Sequence, residues 1–472
     1  MMGKPNQLEP KLFYHNISLE QRVPQDHPLR TIARRVDFTF IRSHVADLYG
    51  TRGNVSVDPA VILKLMFLLF YENIKSERAL MAQLPLRLDW LWFCGYDLDE
   101  KTPDHSVLSK ARRRWGQDVF TDFFQQILNQ CIDAGLVDGE IIHVDASMIN
   151  ANAAKDTLQV QLRHVSRDLY ETLEQHAEPT ALERRVSSTD PDARLGKKYG
   201  TTTLGYKDHR TVDDKAGIIT STTVTPANVN DEKQFIEVVE KHQVNTKIKV
   251  KTAAADKAYG IGENYEYLHE QGITPCISHQ RYKNNPNQEF THDKFVYDKT
   301  TDSYRCPAGF KLTHKQVKKT EGCVVYRMDR QTCEHCPYFD KCVTSTQLGR
   351  RVQRSQYADY YEWADTCLSP HTRRRLMARR KAKAEGSFAD AANNHGFKRA
   401  RWRGLMHVQI QNLMIAAIQN LRKLMRYRNM KPSKTGAVLI SAVRFFAPSL
   451  ASLQCLASKI RFGPKYERIF TF

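Results

Sequence analysis

Ile141-Ile142-His143-Val144-Asp145 and Val250-Lys251-Thr252-Ala253-Ala254-Ala255-Asp256 decide the fold, since each is a short apolar run that ends in an aspartate. A third acid, Glu385, stands far downstream in one of the most basic parts of the chain. Carboxylates at the ends of neighbouring strands can hold divalent cations, because hard cations take oxygen ligands and the strand ends fix their geometry. One strand-terminal aspartate more often only caps a turn. Two of them, with a distant glutamate and a basic surface, point to metal-assisted cutting or joining of nucleic acid.

Between and around these runs the texture is α/β. After the first strand, a polar stretch from Asp156 to Arg185 reads as helix. Thr203 to Val212 and Ile218 to Thr225 read as strands joined by the turn Asp213-Asp214-Lys215-Ala216-Gly217. Phe235, Val238, Val239 and His242 then follow helical spacing, and a strand from Ile248 to Ala255 delivers Asp256. Acids on the first and last strands of such a unit give a mixed-sheet layout.

Residues 28 to 135 read as helices. Asp58 is a candidate N-cap with Pro59 at the first helical position, ahead of the apolar run Val61 to Tyr71. Ser76-Glu77-Arg78 opens another helix, and Pro103-Asp104-His105-Ser106 leads into a basic one carrying Arg112, Arg113 and Arg114. That arginine run suits a recognition helix in a groove of DNA and equally suits a solvated face of a bundle. His371 to about Asn393 reads as a helix with Lys381, Glu385, Phe388 and Ala392 on one face. A last apolar helix spans Gly404 to Met425.

The 472 residues carry a formal charge of +19, unevenly spread. From His371 to Met430 eleven arginines and four lysines face only Glu385 and Asp390. Such a block marks a polyanion partner, since phosphates neutralised by Lys and Arg release counterions. A solvated helix face and attraction to acidic lipid are the blander explanations. Arg379, Arg380, Lys398, Arg399, Arg401 and Arg403 are the candidate phosphate contacts. Trp402 can wedge at a cut, although a core tryptophan is the more common role. The N-terminus lacks a signal-peptide core, and Ala437 to Ile460 is broken by Arg444 and Pro448, so a docking helix is expected there rather than a membrane span.

Ten cysteines do not suggest a disulfide framework. Cys94, Cys131, Cys276, Cys367 and Cys455 are scattered and read as reduced thiols. Cys306, Cys333, Cys336 and Cys342 follow C-x26-C-x2-C-x5-C, a spacing able to close a tetrahedral structural zinc site, with Cys323 or His335 as substitutes. Four reduced thiols in a loop-rich insertion is the alternative.

The chain resembles the DDE transposases of bacterial insertion sequences, most closely the IS1182 group. The resemblance runs from His27-Pro28-Leu29-Arg30 through Ile142 to Ser147, Leu204 to Lys207, Val224 to Asp231, Ala255 to Gly260 and Tyr304 to Gly309. Its most specific piece is Glu385-Gly386-Ser387-Phe388-Ala389-Asp390 with His395-Gly396 and Arg401-Trp402-Arg403-Gly404. It implies an RNase H-like core interrupted by a Cys-bearing insertion. The expected division is a helical DNA-binding region over 1–135, the core over 136–271, the insertion over 272–370, the third-acid and closing helices over 371–430, and a tail over 431–472.

The resemblance further implies Asp145, Asp256 and Glu385 as catalytic ligands of Mg²⁺ or Mn²⁺. The implied reaction is hydrolysis at the element's ends, followed by attack of the freed 3′-hydroxyl on target DNA. The implied partners are the terminal inverted repeats, the target duplex and a second copy of the chain, in the bacterial cytoplasm with no membrane involved. One departure stands out: Ala392 occupies the position, seven residues after the third acid, where such proteins commonly carry a phosphate-binding lysine. Lys398, Arg399, Arg401 or Arg403 are candidate substitutes, and a catalytically inactive or repurposed DNA-binding copy is the alternative.

Overall fold

A computed structural model describes residues 18–162, 183–198, 200–278, 289–312, 314–318, 322–343 and 349–429. Residues through Leu424 form one unit and those from Met425 a second, described only at the end of the final helix.

The run after Asp58 folds as the helix Pro59–Tyr71, apolar on nearly every side and therefore buried. Asp58 caps it, accepting from the Ala60 amide at 3.2 Å while Arg42 grips the same carboxylate at 2.9 and 2.6 Å. Short helices, including Glu77–Gln83, Leu88–Cys94, Ser106–Trp115 and Asp118–Asp133, complete this part, with Phe38, Phe67, Phe93 and Phe123 meeting ring against ring. Ser76 accepts from the Ala79 amide and so starts the first of these, Glu77–Gln83.

The central sheet begins with β1 (Ile141–Asn150). The expected helix from Asp156 to Arg185 is not found where the chain is described: its ends form β2 (Leu158–Leu162) and β3 (Glu183–Ser187), paired antiparallel, and its middle lies outside the described residues. The alternation Leu158-Gln159-Val160-Gln161-Leu162 has a strand's period of two, which the polar composition hid. β4 (Arg194–Lys198), β5 (Thr201–Asp213), β6 (Ile219–Pro226), β7 (Thr252–Ala254) and β8 (Thr274–Cys276) follow. Along the sheet the order is β6, β5, β1, β7, β8, antiparallel as far as β1 and parallel beyond it. β7 starts four residues later than the strand expected from Ile248, and the Val250 amide donates to the Gln243 side chain instead of to a neighbouring strand.

Ile142, Val144, Ala253 and Ala255 share one core with Phe235, Val238 and Val239 of the helix Phe235–Thr246. By the alternation of a strand, His143, Asp145 and Ser147 point to the opposite face. That face is covered by the helix Pro370–Arg380 and the turn Lys381–Glu385 that follows it, while Gly386–His395 and Leu405–Asn429 reach Arg210 of β5 through Ser387 and Gln419.

The last helix does more than cover apolar surface. Its amide side chains bond the backbone of the outer strand β6 as another strand would. Gln409 accepts from the Val224 amide at 2.7 Å and donates to the Thr222 carbonyl at 3.1 Å, and Asn420 makes the same pair with Ile219 at 2.8 and 2.7 Å. Buried backbone polar groups at a sheet edge are thereby satisfied without a further strand.

The Cys-bearing stretch builds two small sheets: β9 (Val296–Asp298) with β10 (Ser303–Arg305) and β11 (Lys311–Leu312), and β12 (His314–Lys318) with β13 (Cys323–Arg327) and β14 (Arg351–Ser355). Phe295, Tyr304, Leu312, Tyr326, Met328 and Val352 form its core. Ala437 to Ile460 and Cys455 lie outside the described residues. No helix of the described residues is long and apolar enough to cross a membrane.

Candidate active site

Three separate elements bring the sequence-predicted acids together. Asp145 projects from the middle of β1. β7 runs parallel beside β1 with His143 opposite Ala254, so carrying the register two residues on sets Asp256 beside Asp145. Asp256 stands just past the strand, where its side chain caps the turn Lys257–Tyr259 by accepting from the Ala258 amide at 2.8 Å. Glu385 arrives on the helices that cover this face.

The helix that carries Glu385 is interrupted. Pro370–Arg380 is α-helical, Lys381–Glu385 is a π turn, and Gly386–His395 is α-helical again. The π turn widens the spiral, which is why the residue beside Glu385 is Arg380 and not Lys381 as ideal helical spacing predicts. Arg380 is only 9% exposed, and its guanidinium lies 3.4 Å from Asp145 and 3.3 Å from Glu385. It bridges two of the three carboxylates.

Burial, with repulsion from Asp256 and Glu385, pushes the Asp145 carboxyl up to about 6, against the pull of Arg380 and the Ala146 amide. The three acids therefore sense one another, the mark of carboxylates sharing a site. Tyr259, within the Asp256 motif but not singled out by its pattern, is buried beside them; among the described residues its hydroxyl has no hydrogen-bond partner, and burial raises its ionisation well above the usual range. Among the described residues no group of His, Cys, Asp and Glu already stands in a metal-holding array. The donor chemistry nevertheless fits a hard divalent cation: carboxylate oxygens from three elements, with a guanidinium supplying the positive charge between them.

The basic residues divide sharply. Arg379 pairs with Asp214 at 2.6 Å, and Asp214 also holds His143 of β1 at 2.8 Å. Lys398 donates to the Ser147 hydroxyl at 2.8 Å, two residues along β1 from Asp145. The backbone between them is stitched as well, since the Asn150 amide donates to the Lys398 carbonyl and the Ala400 amide to the Asn150 carbonyl. Arg399, Arg403, Arg113 and Arg114 are exposed.

Two expected phosphate contacts are interior ties instead. Arg112 is 4% exposed, pairs with Glu77, and lies flat over Trp402 at 3.7 Å. It follows Leu108 and Ala111 on the inward face that ends in Trp115, a spacing visible in the sequence and outweighed by its charge. Arg401 spends its guanidinium on the carbonyls of Leu69, Ile74 and His395. Trp402 is held by Glu77 at 3.1 Å and by the edge of Phe70, so it works as a packed residue and not as a wedge.

Cys306, Cys333, Cys336 and Cys342 line one cavity in the insertion. The proposed substitutes fall outside that lining: Cys323 pairs within β13, and the His335 ring faces the Gln331 carbonyl.

Two family models match separate parts of the chain. Residues 17–114 match the family described as Transposase domain (DUF772), and residues 305–425 match Transposase DDE domain. The second match contains Glu385, Arg380 and the four cysteines and leaves out Asp145 and Asp256. A transposase for insertion sequence element IS1106 from Neisseria meningitidis serogroup B is 27% identical over 181 residues, which take in 38% of this chain and 56% of that protein. A solved piggyBac transposase synaptic complex with hairpin DNA aligns with 92% of this chain and 83% of its own at 9% identity and TM-score 0.31, too weak a likeness to bear on the fold.

Proposed function

We propose that this chain, which carries a DUF772 transposase domain followed by a DDE transposase domain, cuts the ends of its own insertion sequence and joins the freed 3′-hydroxyl to target DNA. The observation that carries this reading is the convergence of Asp145, Asp256 and Glu385 from three elements far apart in sequence, with Arg380 between two of them. The strand order, antiparallel up to β1 and parallel beyond it with the acids on β1 and after β7, supports an RNase H-like core.

In that reading Asp145, Asp256 and Glu385 hold Mg²⁺ or Mn²⁺, which when bound would activate the attacking oxygen and stabilise the leaving one. The chain's own residues supply position. Arg380 meets the charge of a phosphate brought to the acids, and Lys398, anchored on Ser147, stands in for the lysine that Ala392 lacks. Arg399, Arg403, Arg113 and Arg114 lie exposed and can contact duplex phosphates without reading sequence. The helical region over 1–135 would grip the terminal repeats, and two copies would hold the paired ends, acting in the cytoplasm on chromosomal DNA.

The test is end-specific cleavage and joining of DNA from the borders of the element, by the full chain, with Mg²⁺ or Mn²⁺. Metal-dependent nicks and joined products are expected. Binding without either product in both metals would establish an inactive DNA-binding copy instead.

A further inference from the structure

We propose that Cys306, Cys333, Cys336 and Cys342 bind a structural Zn²⁺ that staples the insertion between the second and third acids. The proposal is independent of the transposase reading, since it concerns a cavity remote in sequence from the carboxylates.

The sequence allows such a site by spacing alone; the structure adds convergence. All four thiols line the same cavity, walled also by apolar side chains including Phe290, Phe310 and Met328 and by Arg350. Cys333 belongs to the apolar core of the stretch, and Cys306 and Cys342 pack against that same core.

The backbone around them is turned for metal capture. Cys306 opens the tight turn Cys306-Pro307-Ala308-Gly309, where the Gly309 amide donates to the Cys306 carbonyl at 2.8 Å and the Cys306 amide donates to the Phe310 carbonyl at 2.9 Å. Gly309 takes a φ of +89°, a conformation that side-chain-bearing residues rarely adopt. Cys333 and Cys336 flank a second turn, closed by the Cys336 amide on the Cys333 carbonyl at 3.0 Å. The Arg350 amide donates to the Cys333 sulfur at 3.5 Å, a contact that favours thiolate over thiol. The Arg350 side chain is bonded to the Cys342 carbonyl at 3.0 Å, placing positive charge where four thiolates around one Zn²⁺ would leave a net negative charge.

Physical need points the same way. The stretch is made of two three-stranded sheets with strands of two to five residues and a core of seven buried side chains. A core that small rarely holds itself together without a metal or disulfides. No disulfide joins these residues, and no three of them already stand in ligating array among the described residues. Binding would therefore draw the sulfurs inward across the cavity and release thiol protons, coupling metal uptake to the order of the insertion.

The experiment measures metal in the full chain purified without chelator. One zinc per chain is expected, released by a mercurial that blocks thiols, and retained in Asp145→Asn, which separates this site from the carboxylates. Cys333→Ser/Cys336→Ser should lower bound zinc at least tenfold. In case that variant does not fold, Co²⁺ exchange into the wild-type chain gives a second reading: thiolate-to-cobalt charge-transfer bands of a tetrahedral sulfur site. Zinc below a tenth of an equivalent together with absent cobalt bands, or a mass spectrum showing Cys333 and Cys336 joined as a disulfide, would overturn the proposal.

Discussion

Arg380 and Glu385 stand side by side, Nη2 to Oε1 at 3.3 Å, although five residues separate them in a helix. In an ideal α-helix such a pair lies well around the cylinder from one another. The π turn Lys381–Glu385 removes that offset, and the same guanidinium then reaches Asp145 on the strand beneath. π turns inside α-helices frequently mark functional sites, and this one sets the cation against the acids.

If Arg380 balances the acids, replacing it should free them for metal. Arg380→Met should bind Mn²⁺ roughly tenfold more tightly, the equivalent of an ion-pair contact of about 1.5 kcal/mol. In metal-free buffer it should be less stable by about 1–3 kcal/mol, the usual cost of leaving buried charges uncompensated, with most of that recovered on adding Mn²⁺. Calorimetric titration and urea melts read both quantities. Unchanged Mn²⁺ affinity would mean that Arg380 does not compete for the carboxylates.

Asp145 stands in the middle of β1, within reach of the Arg380 guanidinium that also meets Glu385. Asp145→Asn keeps the shape and removes the charge, so cleavage and joining should fall by a factor on the order of 10³, equal to about 4 kcal/mol of transition-state stabilisation. Binding to border DNA should stay within roughly twofold, because the phosphate contacts proposed above fall to exposed arginines and lysines and not to this carboxylate. Product formation at the wild-type rate would remove Asp145 from the mechanism.

The consecutive arginines 112, 113 and 114 should separate by experiment. Arg112→Met and Trp402→Ala break the buried tie to Glu77 and should each cost about 3 kcal/mol in denaturant melts. Neither should alter the salt dependence of DNA binding directly. Arg113→Ala or Arg114→Ala should leave stability within about 0.5 kcal/mol. Each should lower the slope of log K against log salt by about 1 if that residue touches phosphate. A slope change confined to Arg112→Met would restore the sequence-based expectation for that residue.

His242 makes the fold acid-sensitive. It is fully buried, its Nε2 donating to the Gly139 carbonyl at 3.0 Å and its Nδ1 facing the Thr220 hydroxyl at 2.7 Å, and burial pushes its ionisation down to about 4. The unfolded chain takes up this proton near the ordinary value of about 6.5, while the folded chain resists until about 4. Stability is therefore complete above pH 6.5 and falls as pH drops from 6.5 toward 4, by up to about 3 kcal/mol from this residue. Urea midpoints between pH 7 and pH 4.5 should fall less steeply for His242→Gln, and an identical slope would assign the effect to other histidines.

Much of this architecture was legible because it rests on local pattern. The Asp145 and Asp256 strands, the hairpin after Asp213, the Asp58 cap and the helix at Phe235 all follow from apolar spacing and turn residues. The π turn was hidden, since Lys381-Ala382-Lys383-Ala384-Glu385 contains only good α-formers and nothing in composition marks a change of hydrogen-bond step. The inward turn of Arg112 was half visible, on a face shared with Leu108, Ala111 and Trp115. What no local pattern contains is the partner: that Glu77 and Trp402 wait for that guanidinium is a fact of tertiary packing. The antiparallel pairing of β2 and β3 was lost to polar composition, although the alternation of β2 was present.

The amide side chains that seal β6 come from the last described helix, and this bears on how the protein is made. A ribosome synthesises the sheet well before Gln409 and Asn420 exist. Until they emerge, the outer strand keeps open backbone groups able to pair with any extended chain nearby. Glu385 and Lys398 also arrive late, so an unfinished or truncated product has neither a closed edge nor a full set of acids. Premature stops upstream of Gln409 should thus yield chains that aggregate rather than shortened proteins that still act on DNA.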